Sequence, residues 1–276
     1  MKRVVLVGLG LIGGSVGQAL RAHWPQLELV GVDRESVIQT DSVRSLLTDS
    51  LTVEGLSVSD RRGLDADLIV LAIPVRAIAE GVCDWLAAGA PLTDCGSTKQ
   101  IIVKAAQASP GYDWFVPGHP MAGRERGGYE SASPDLFRGR PWIVCPQGAN
   151  TRARDATRAM VEAVGALWTE LTPQEHDLAV AMTSHLPQIL ASWLAASTSE
   201  SQRCAAGPAF ADMTRVAGGS ESIWRDIFET NAGPLAAAIR RASEDLRELA
   251  EELGASEPRI QQALKLLARA RRQSPP

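Results

Sequence analysis

The chain has 276 residues, of which 45% are hydrophobic and 22% are charged, and its formal net charge is −4. This length suffices for two domains, and the composition is typical of a globular protein. The slight acidity excludes the basic field of a nucleic-acid-binding protein, so acidic ligands would have to be held by individual arginines. Beyond the N-terminal segment, which glycines interrupt, no apolar run is long enough to predict a membrane helix.

The cysteines are scattered along the chain and form no C-x-x-C pair. This spacing predicts reduced thiols in a cytoplasmic protein and gives no indication of a metal site. The four residues are Cys83, Cys95, Cys145 and Cys204.

A glycine-rich turn follows the first predicted strand. The stretch VVLVGLGLIGGS, residues 4–15, reads as a buried strand, a G-x-G-x-x-G turn at Gly8, Gly10 and Gly13, and the start of a helix. In such a unit the glycines allow a tight turn and a close backbone approach, while the helix N-terminus attracts a pyrophosphate. A second strand, residues 27–32, leads to Asp33, where a carboxylate can bind a ribose 2′-hydroxyl.

We therefore predict an NAD site built from this turn and from neighbouring strand ends, with a βαβ unit that binds no ligand as the alternative. The Asp33 carboxylate favours NAD because it would repel a 2′-phosphate, whereas the neighbouring Arg34 leaves NADP open. The predicted cofactor-binding residues are Gly8, Gly10, Leu11, Ile12, Gly13, Asp33, Arg34 and Pro74.

Apolar runs alternate with helical patterns through the first half of the chain. This alternation predicts a doubly wound parallel (Rossmann-type) sheet in a dinucleotide-binding domain, residues 1–152. Ser97 or Thr98 is the predicted N-cap of the helix that follows. Predicted strands lie at 68–73, 91–95, 114–117 and 141–145, and predicted helices at 76–87 and 100–108.

His119 follows a predicted strand, in a turn-rich stretch that we expect to be a loop. Ligands of doubly wound sheets bind beyond the carboxyl ends of the strands, so His119, Ser97 and Pro74 should share the edge that holds the glycine turn. A histidine at that edge is a candidate general base, because its pKa lies near neutrality. The alternative is a surface or capping histidine.

The second half, residues 153–276, predicts an all-α domain rich in alanine, leucine, glutamate and arginine. One long helix should begin at Pro173, with Pro187 inside it. His176 and His185 are nine residues apart, which places them on opposite faces of a regular helix. The kink expected at Pro187 suggests a site beside His185, although a core histidine is the usual explanation, and by itself the sequence leaves Arg215 as a surface cation. The apolar faces of the last helices predict a homodimer.

Taken in order, several motifs resemble the prephenate/arogenate dehydrogenase family of tyrosine biosynthesis, and they span nearly the whole chain. Most specific are GHPMAG followed by Glu125, the SHLP of the long helix, and DMTR ending at Arg215. The full set is GLGLIGGS (8–15), LAIPV (71–75), DCGSTK (94–99), GHPMAG (118–123), LFRGRPWIV (136–144), HDLAVAMTSHLP (176–187) and FADMTR (210–215), with Trp224 nine residues later.

The resemblance implies the oxidative decarboxylation of prephenate or arogenate with NAD, or with NADP. It further implies that His119 is the base at the ring hydroxyl, with Ser97 as its hydrogen-bonding partner. His185 and Arg215 would bind substrate, with Arg215 suited to a carboxylate. Glu125 would order Arg215 or gate the site, and Gln188 would be a further substrate neighbour.

Gln188 is also a departure, because many family members have a second histidine there. The chain shows no room for a fused regulatory domain, so we expect tyrosine feedback to be weak, absent or exerted at the active site. Two other functions stay open. A β-hydroxyacid-type dehydrogenase would use Lys99 or a lysine on the long helix, which has none between Pro173 and Ala196. A non-catalytic NAD(H)-binding protein would bind cofactor without turnover.

Overall fold

The computed structural model of the chain describes residues 1–124 and 126–273. Two sheets and their helices occupy the chain as far as residue 170, and the remainder is helical. The larger sheet has six strands, all parallel, in the order β3-β2-β1-β4-β5-β6. They are β1 (Arg3–Val7), β2 (Glu28–Asp33), β3 (Asp49–Thr52), β4 (Leu68–Leu71), β5 (Leu92–Asp94) and β6 (Phe115–Val116). The doubly wound parallel sheet predicted from the sequence is confirmed.

The central strand β1 is buried on both faces, which explains its continuous apolar sequence. Val4 and Leu6 pack in one core and Val5 and Val7 in the other, because successive side chains of a strand point to opposite faces. The helices that follow the first five strands are α1 (Leu11–His23), α2 (Glu35–Ile38), α3 (Asp41–Leu46), α4 (Val58–Arg62), α5 (Val75–Leu86) and α6 (Gln100–Ala106).

A smaller sheet continues beside β6 and contains His119. Its strands are β7 (Gly118–Pro120), β8 (Pro141–Val144) and β9 (Leu167–Glu170), in that order. The prediction of a loop at His119 is wrong, because His119 lies in β7 opposite Ile143 of the antiparallel β8. A three-residue strand has no periodicity for a sequence pattern to reveal, so only its pairing with β8 defines it.

The helix between β8 and β9, α7 (Thr151–Ala163), packs on the first half of the chain. Its Ala153, Met160 and Val161 lie in the same core as Val4 and Leu6 of β1. The domain boundary predicted between residues 152 and 153 falls inside this helix, so we propose a boundary after β9 instead.

The rest of the chain is all-α, as predicted, but the long helix from Pro173 is interrupted. A π-helical turn, Ala181–His185, separates the two segments, and Pro187 lies in the first turn of the second. Proline has no N–H to donate to the preceding turn, which is consistent with a change of hydrogen-bond pattern there. The helices are α8 (Pro173–Val180), α9 (Leu186–Ser197), α10 (Glu200–Arg203), α11 (Pro208–Thr214), α12 (Glu221–Thr230), α13 (Ala232–Leu253) and α14 (Gln261–Gln273).

Within the described residues no helix is both long and apolar enough to cross a membrane. The four cysteines are free thiols. The cytoplasmic location that their spacing suggested stays a prediction.

Candidate active site

The glycine turn between β1 and α1 is closed too tightly for side chains at two positions. Gly8 has a φ of +91°, which favours glycine. A Cβ added to Gly13 would lie 1.8 Å from the carbonyl oxygen of Gly8, so the first turn of α1 packs directly on the strand end. Gly10, in contrast, has open space around it, with no atom within 4 Å of an added Cβ.

The start of α1 suits a dinucleotide phosphate. Gly10 is the N-cap, and the first turn carries no acidic side chain to neutralise the helix dipole. Asp33 lies beside this turn, where its Oδ2 accepts a hydrogen bond of 2.7 Å from the Leu9 backbone N–H. The Asp33 Oδ1 accepts from the Arg34 N–H at 2.7 Å, while the Arg34 side chain is exposed. These residues fit the group that the sequence predicted.

A buried ion pair fixes the backbone just before His119. Lys99 and Asp94 are fully buried, and the Lys99 ammonium contacts the Asp94 carboxylate. Gly118 is held from both sides: its carbonyl oxygen accepts from Lys99 Nζ at 2.6 Å, and its N–H donates to Asp94 Oδ1 at 3.0 Å. The Lys99 ammonium is therefore engaged in positioning the strand, which argues against the catalytic lysine of a β-hydroxyacid dehydrogenase.

His119 is joined to two residues of α8 by consecutive hydrogen bonds. His119 Nδ1 lies 2.8 Å from His176 Nε2, and His176 Nδ1 lies 2.8 Å from Asp177 Oδ1. His176 and Asp177 are completely buried, whereas His119 is half-buried. Two histidines and a carboxylate thus form one hydrogen-bonded line from the sheet edge into the helical region.

Asp177 also holds the start of α6. Its Oδ1 accepts from the Lys99 N–H at 2.7 Å and its Oδ2 from the Gln100 N–H at 3.0 Å. The predicted N-cap at Ser97 or Thr98 is wrong, because Lys99 is the N-cap residue and makes no side-chain cap. The Asp177 carboxylate, 77 residues from Gln100 in sequence, caps the helix instead. A local capping pattern cannot predict such a distant partner.

The Asp177 carboxylate at the end of this line determines where the protons of the two histidines lie. A carboxylate can only accept, so His176 donates from Nδ1 and, when neutral, must accept at Nε2. His119 then donates from Nδ1, which leaves a lone pair on its Nε2. Burial lowers the pKa of His119 well below its ordinary range, with further contributions from His176, Lys99 and His185.

The pKa values of the other two members are consistent with a neutral histidine facing a carboxylate. Burial lowers the pKa of His176, and its hydrogen bond to Asp177 only partly opposes this. Burial by itself would raise the pKa of Asp177, but the hydrogen bonds from His176, Gln100 and Lys99 outweigh it and lower the pKa.

His185, at the end of the π turn, lies in the same neighbourhood. Its side chain is buried, with 1% of the residue exposed. Its ring packs edge-on against that of Trp224, with 5.9 Å between the ring centroids, and its Nδ1 lies 3.1 Å from Asn231 Nδ2. The prediction that His176 and His185 face opposite sides is wrong. A π turn holds more residues than an α turn, so each residue rotates by less than 100° and the two histidines no longer oppose each other.

Residues 16–170 match the family model of the prephenate dehydrogenase nucleotide-binding domain, and residues 172–267 match that of the prephenate dehydrogenase dimerization domain. The chain belongs to the prephenate dehydrogenase family. The two models meet after β9, where the packing also changes from mixed to helical.

Relatives of this family member support the same assignment. The prephenate dehydrogenase of Bacillus subtilis is 31% identical over 89% of this chain and 68% of its own length. The structure of Aquifex aeolicus prephenate dehydrogenase in complex with hydroxyphenyl propionate and NAD+ is 25% identical, with a TM-score of 0.80 over 99% of this chain and 96% of that one. Synechocystis arogenate dehydrogenase is 27% identical, with a TM-score of 0.79 over 98% of each chain.

The other predicted site residues of this prephenate dehydrogenase family member lie on separate elements. Ser97 is half-buried in the β5–α6 loop, and its side chain makes no hydrogen bond within the described ranges. Gln188 is buried one turn after His185 and donates to Ser192 Oγ at 3.3 Å. Arg215 is exposed at the start of a 3₁₀ turn that packs against α9. Glu125 lies outside the described residues.

Sequence reasoning missed three residues that the structure brings to this site: His176, Asp177 and Asn231. The first two stand together in HDLAVAMTSHLP, so the motif contained them without indicating a role. Asn231 lies between α12 and α13, and no pattern in the surrounding sequence marks it.

Proposed function

We propose that this chain catalyses the oxidative decarboxylation of prephenate or arogenate, with His119 as the general base. The observation that carries the proposal is the line from His119 to Asp177, which supports a lone pair on His119 Nε2 at the edge of the sheet that holds the dinucleotide turn. NAD, when bound at that turn, accepts a hydride from the carbon that bears the ring hydroxyl.

The His119 base would act in a proton cycle that returns to its start. Nε2 takes the proton of the ring hydroxyl as the hydride leaves, which produces a ring ketone. The bond between the ring and its carboxylate then breaks, CO₂ leaves, and the electron pair enters the ring to form a phenolate. The His119 imidazolium returns its proton to that oxygen, giving 4-hydroxyphenylpyruvate from prephenate or tyrosine from arogenate.

His176 and Asp177, the other two residues of this line, would stabilise the charged form of His119 during this cycle. Protonation at Nε2 creates an imidazolium whose Nδ1–H already points at His176. The Asp177 carboxylate at the far end supplies the opposite charge in a buried setting, where electrostatic interactions are stronger than in water. With Nδ1 engaged, Nε2 is the atom left for Ser97 and for the substrate hydroxyl.

Substrate binding is proposed for the residues of the helical part. Arg215 is suited to a substrate carboxylate because a guanidinium can form two parallel hydrogen bonds to it. His185 ends the π turn, and Gln188 follows in the first turn of α9. Glu125 is proposed as a loop partner on the sequence resemblance alone.

For the cofactor we propose NAD over NADP. The Asp33 side chain is only 16% exposed and is held by the Leu9 and Arg34 N–H groups. A carboxylate fixed at this place would repel a 2′-phosphate while accepting from a 2′-hydroxyl. The Arg34 guanidinium reaches no closer than 3.9 Å to that carboxylate and points to solvent.

The purified full-length chain decides between the proposed reaction and its alternatives. We expect reduced cofactor to form from NAD with prephenate or arogenate, and not with 3-hydroxyacids. Turnover of 3-hydroxyacids alone would establish a β-hydroxyacid-type dehydrogenase instead. Cofactor binding by calorimetry without turnover of any of these substrates would establish a binding protein.

A further inference from the structure

Asn231, at the junction of α12 and α13, contacts both Asp177 and His185. It is 1% exposed, and its Nδ2 donates to the backbone carbonyl of Asp177 at 2.9 Å. The same Nδ2 lies 3.1 Å from His185 Nδ1. The residue before it, Thr230, shares a hydroxyl hydrogen bond of 2.9 Å with Thr98 in the β5–α6 loop.

The Asp177 carbonyl determines which way the Asn231 amide points. A carbonyl oxygen only accepts, so the amide nitrogen, and not its oxygen, must face it. Nδ2 has a second hydrogen, and this one is directed at His185 Nδ1. In this orientation Asn231 Oδ1 is buried and finds no partner within the described residues, a cost that the two donated bonds offset.

This contact fixes the tautomer of His185. Because Nδ1 accepts, the proton of the neutral imidazole must sit on Nε2. Burial keeps this ring neutral at pH 7. Burial lowers the pKa of His185 to about 4; Asp177 opposes the shift, while His176 adds to it, and His119 is a further histidine nearby. Trp224 packs edge-on against the ring.

We propose that Asn231 is a positioning residue that holds His185 as the Nε2–H tautomer, so that His185 donates a hydrogen bond to an oxygen of the substrate. The hydrogen bond to substrate rests on the proposed function, whereas the tautomer does not. The acceptor is a carboxylate, ketone or hydroxyl oxygen; an ammonium group cannot accept this bond.

The two histidines would then have complementary roles. His119 has its lone pair on Nε2 and takes a proton, while His185 has its proton on Nε2 and gives a hydrogen bond. Asp177 contributes to both, through its carboxylate toward His176 and through its carbonyl toward Asn231. Asp177 thus helps to set both tautomers, the one that leaves Nε2 of His119 unprotonated and the one that places a proton on Nε2 of His185.

Long-range proton–nitrogen correlation spectra of the ¹⁵N-labelled full-length protein test the tautomer directly. The chain has only four histidines, and loss of one signal set in His185→Gln assigns this residue. At pH 7 we expect His185 Nε2 to resonate as a protonated nitrogen and Nδ1 as an unprotonated one. An Nδ1–H tautomer or an imidazolium at pH 7 would overturn the proposal, whatever the enzyme's activity.

Asn231→Asp tests whether Asn231 is responsible. The isosteric carboxylate accepts and cannot donate, so the His185 proton should move to Nδ1 and its pKa should rise in an NMR titration. We expect kcat/KM to fall about tenfold or more, the size of one lost hydrogen bond, through KM more than kcat. Asn150→Asp, the same change at the N-cap of α7, should leave the His185 spectrum unchanged.

The outcomes separate the inference from the function. An unchanged His185 tautomer in folded Asn231→Asp protein would refute the role of Asn231. If that variant does not fold, the spectrum of the parent protein still decides the tautomer. A parent with the Nε2–H tautomer that turns over neither prephenate nor arogenate would leave the tautomer established and remove the substrate hydrogen bond.

Discussion

At the scale of single residues, the chemistry of this site depends on which nitrogen of each histidine carries a proton. Asp177 determines this for His176, and through it for His119, because a carboxylate accepts only. Asn231 determines it for His185. The proton positions of His119 and His185, which we propose to face the substrate, are thus set by their buried neighbours.

His119→Asn should reduce kcat by roughly 10²–10⁴-fold, the usual contribution of a general base. Asparagine keeps a polar group of similar size but has no lone pair able to take a proton at neutral pH. The measurement is steady-state turnover of prephenate or arogenate, with thermal unfolding as the check on the fold. A variant with kcat within a few-fold of the parent would exclude His119 as the base.

Mild acid should destabilise this protein through its buried histidines. His119, His176 and His185 have pKa values lowered from the ordinary 6.5, in the last case to about 4. Between these values the unfolded chain binds more protons than the native one, so the free energy of unfolding falls as the pH falls. The lowered pKa of Asp177 acts below 3.8, outside this window.

The expected observation is a lower melting temperature at pH 5 than at pH 7. His185→Gln should show a smaller difference between the two pH values, because one proton-uptake site of the unfolded chain is gone. His23→Gln, at an exposed position on α1, is the matched control and should keep the full difference. A melting temperature that is flat between pH 7 and pH 5 would contradict this account.

At the scale of elements, two irregular features shape the site: a helix that is capped from a distant part of the chain, and a π turn. The start of α6 is capped by Asp177 of α8, and the π turn before α9 rotates His185 toward the site. The Asp177 cap joins a helix at the sheet edge to a helix that begins more than seventy residues later. The geometry of the site therefore depends on the packing of α8 against α6.

The glycine turn offers a test with a matched pair of variants. Gly13→Ala should lower the free energy of unfolding by about 3 kcal/mol, the upper end for overpacking, because its Cβ would lie 1.8 Å from the Gly8 carbonyl oxygen. Gly10→Ala should fold almost normally, since its Cβ meets nothing within 4 Å. It should nevertheless weaken NAD binding, because that open space is where a pyrophosphate would approach.

Denaturant unfolding and calorimetric titration with NAD measure these two effects separately. Equal loss of stability in both variants would mean that the turn is closed at Gly10 as well. Unchanged NAD affinity in Gly10→Ala would place the phosphate elsewhere.

At the scale of the whole molecule, the two parts of the chain meet around the candidate site. Two consecutive residues of α12 contribute to this contact: Glu229 pairs with Arg76 at 2.6 Å, and Thr230 shares a hydrogen bond with Thr98. The buried hydrogen bond from the Lys99 N–H to the Asp177 carboxylate also joins the two parts. The Glu229–Arg76 pair is exposed and contributes at most about 1 kcal/mol. The buried hydrogen bonds beside it define the geometry.

The helical part also carries apolar side chains that one copy leaves exposed. Leu264 and Leu267 of α14, and Ile260 just before it, are each about half exposed and recur at helical spacing. The matching family model is described as a dimerization domain. We propose a homodimer that buries this face, of twice the 29.4 kDa chain mass.

Sedimentation or light scattering of the full-length chain tests the dimer. Leu264→Glu with Leu267→Glu should shift it toward the monomer, because burying two charges in an apolar interface is costly. Gln262→Glu, on another face of the same helix, should leave the mass unchanged. A monomeric parent at micromolar concentration would remove the proposal, and an unaffected double variant would place the interface on another face.

The sequence by itself determined the parts of this protein that rest on local rules. The buried strands, the glycine turn and the Asp33 that follows β2 are all marked by residue type and local spacing, and they were predicted from these signals. Position after a strand was enough to bring Ser97, Pro74 and the glycine turn to one edge, because parallel strands share the direction of their ends.

The tertiary structure decided what depends on contacts across the chain. His119 became part of a strand only by pairing with β8, α6 received its cap from α8, and His185 turned toward the site because of a π turn. Proton positions belong to the same class, since a tautomer is set by the partner that a ring nitrogen meets. Residue types and spacing carry no record of such a partner, and for that reason Asp177 and Asn231 had no assigned role until the fold placed them beside the histidines.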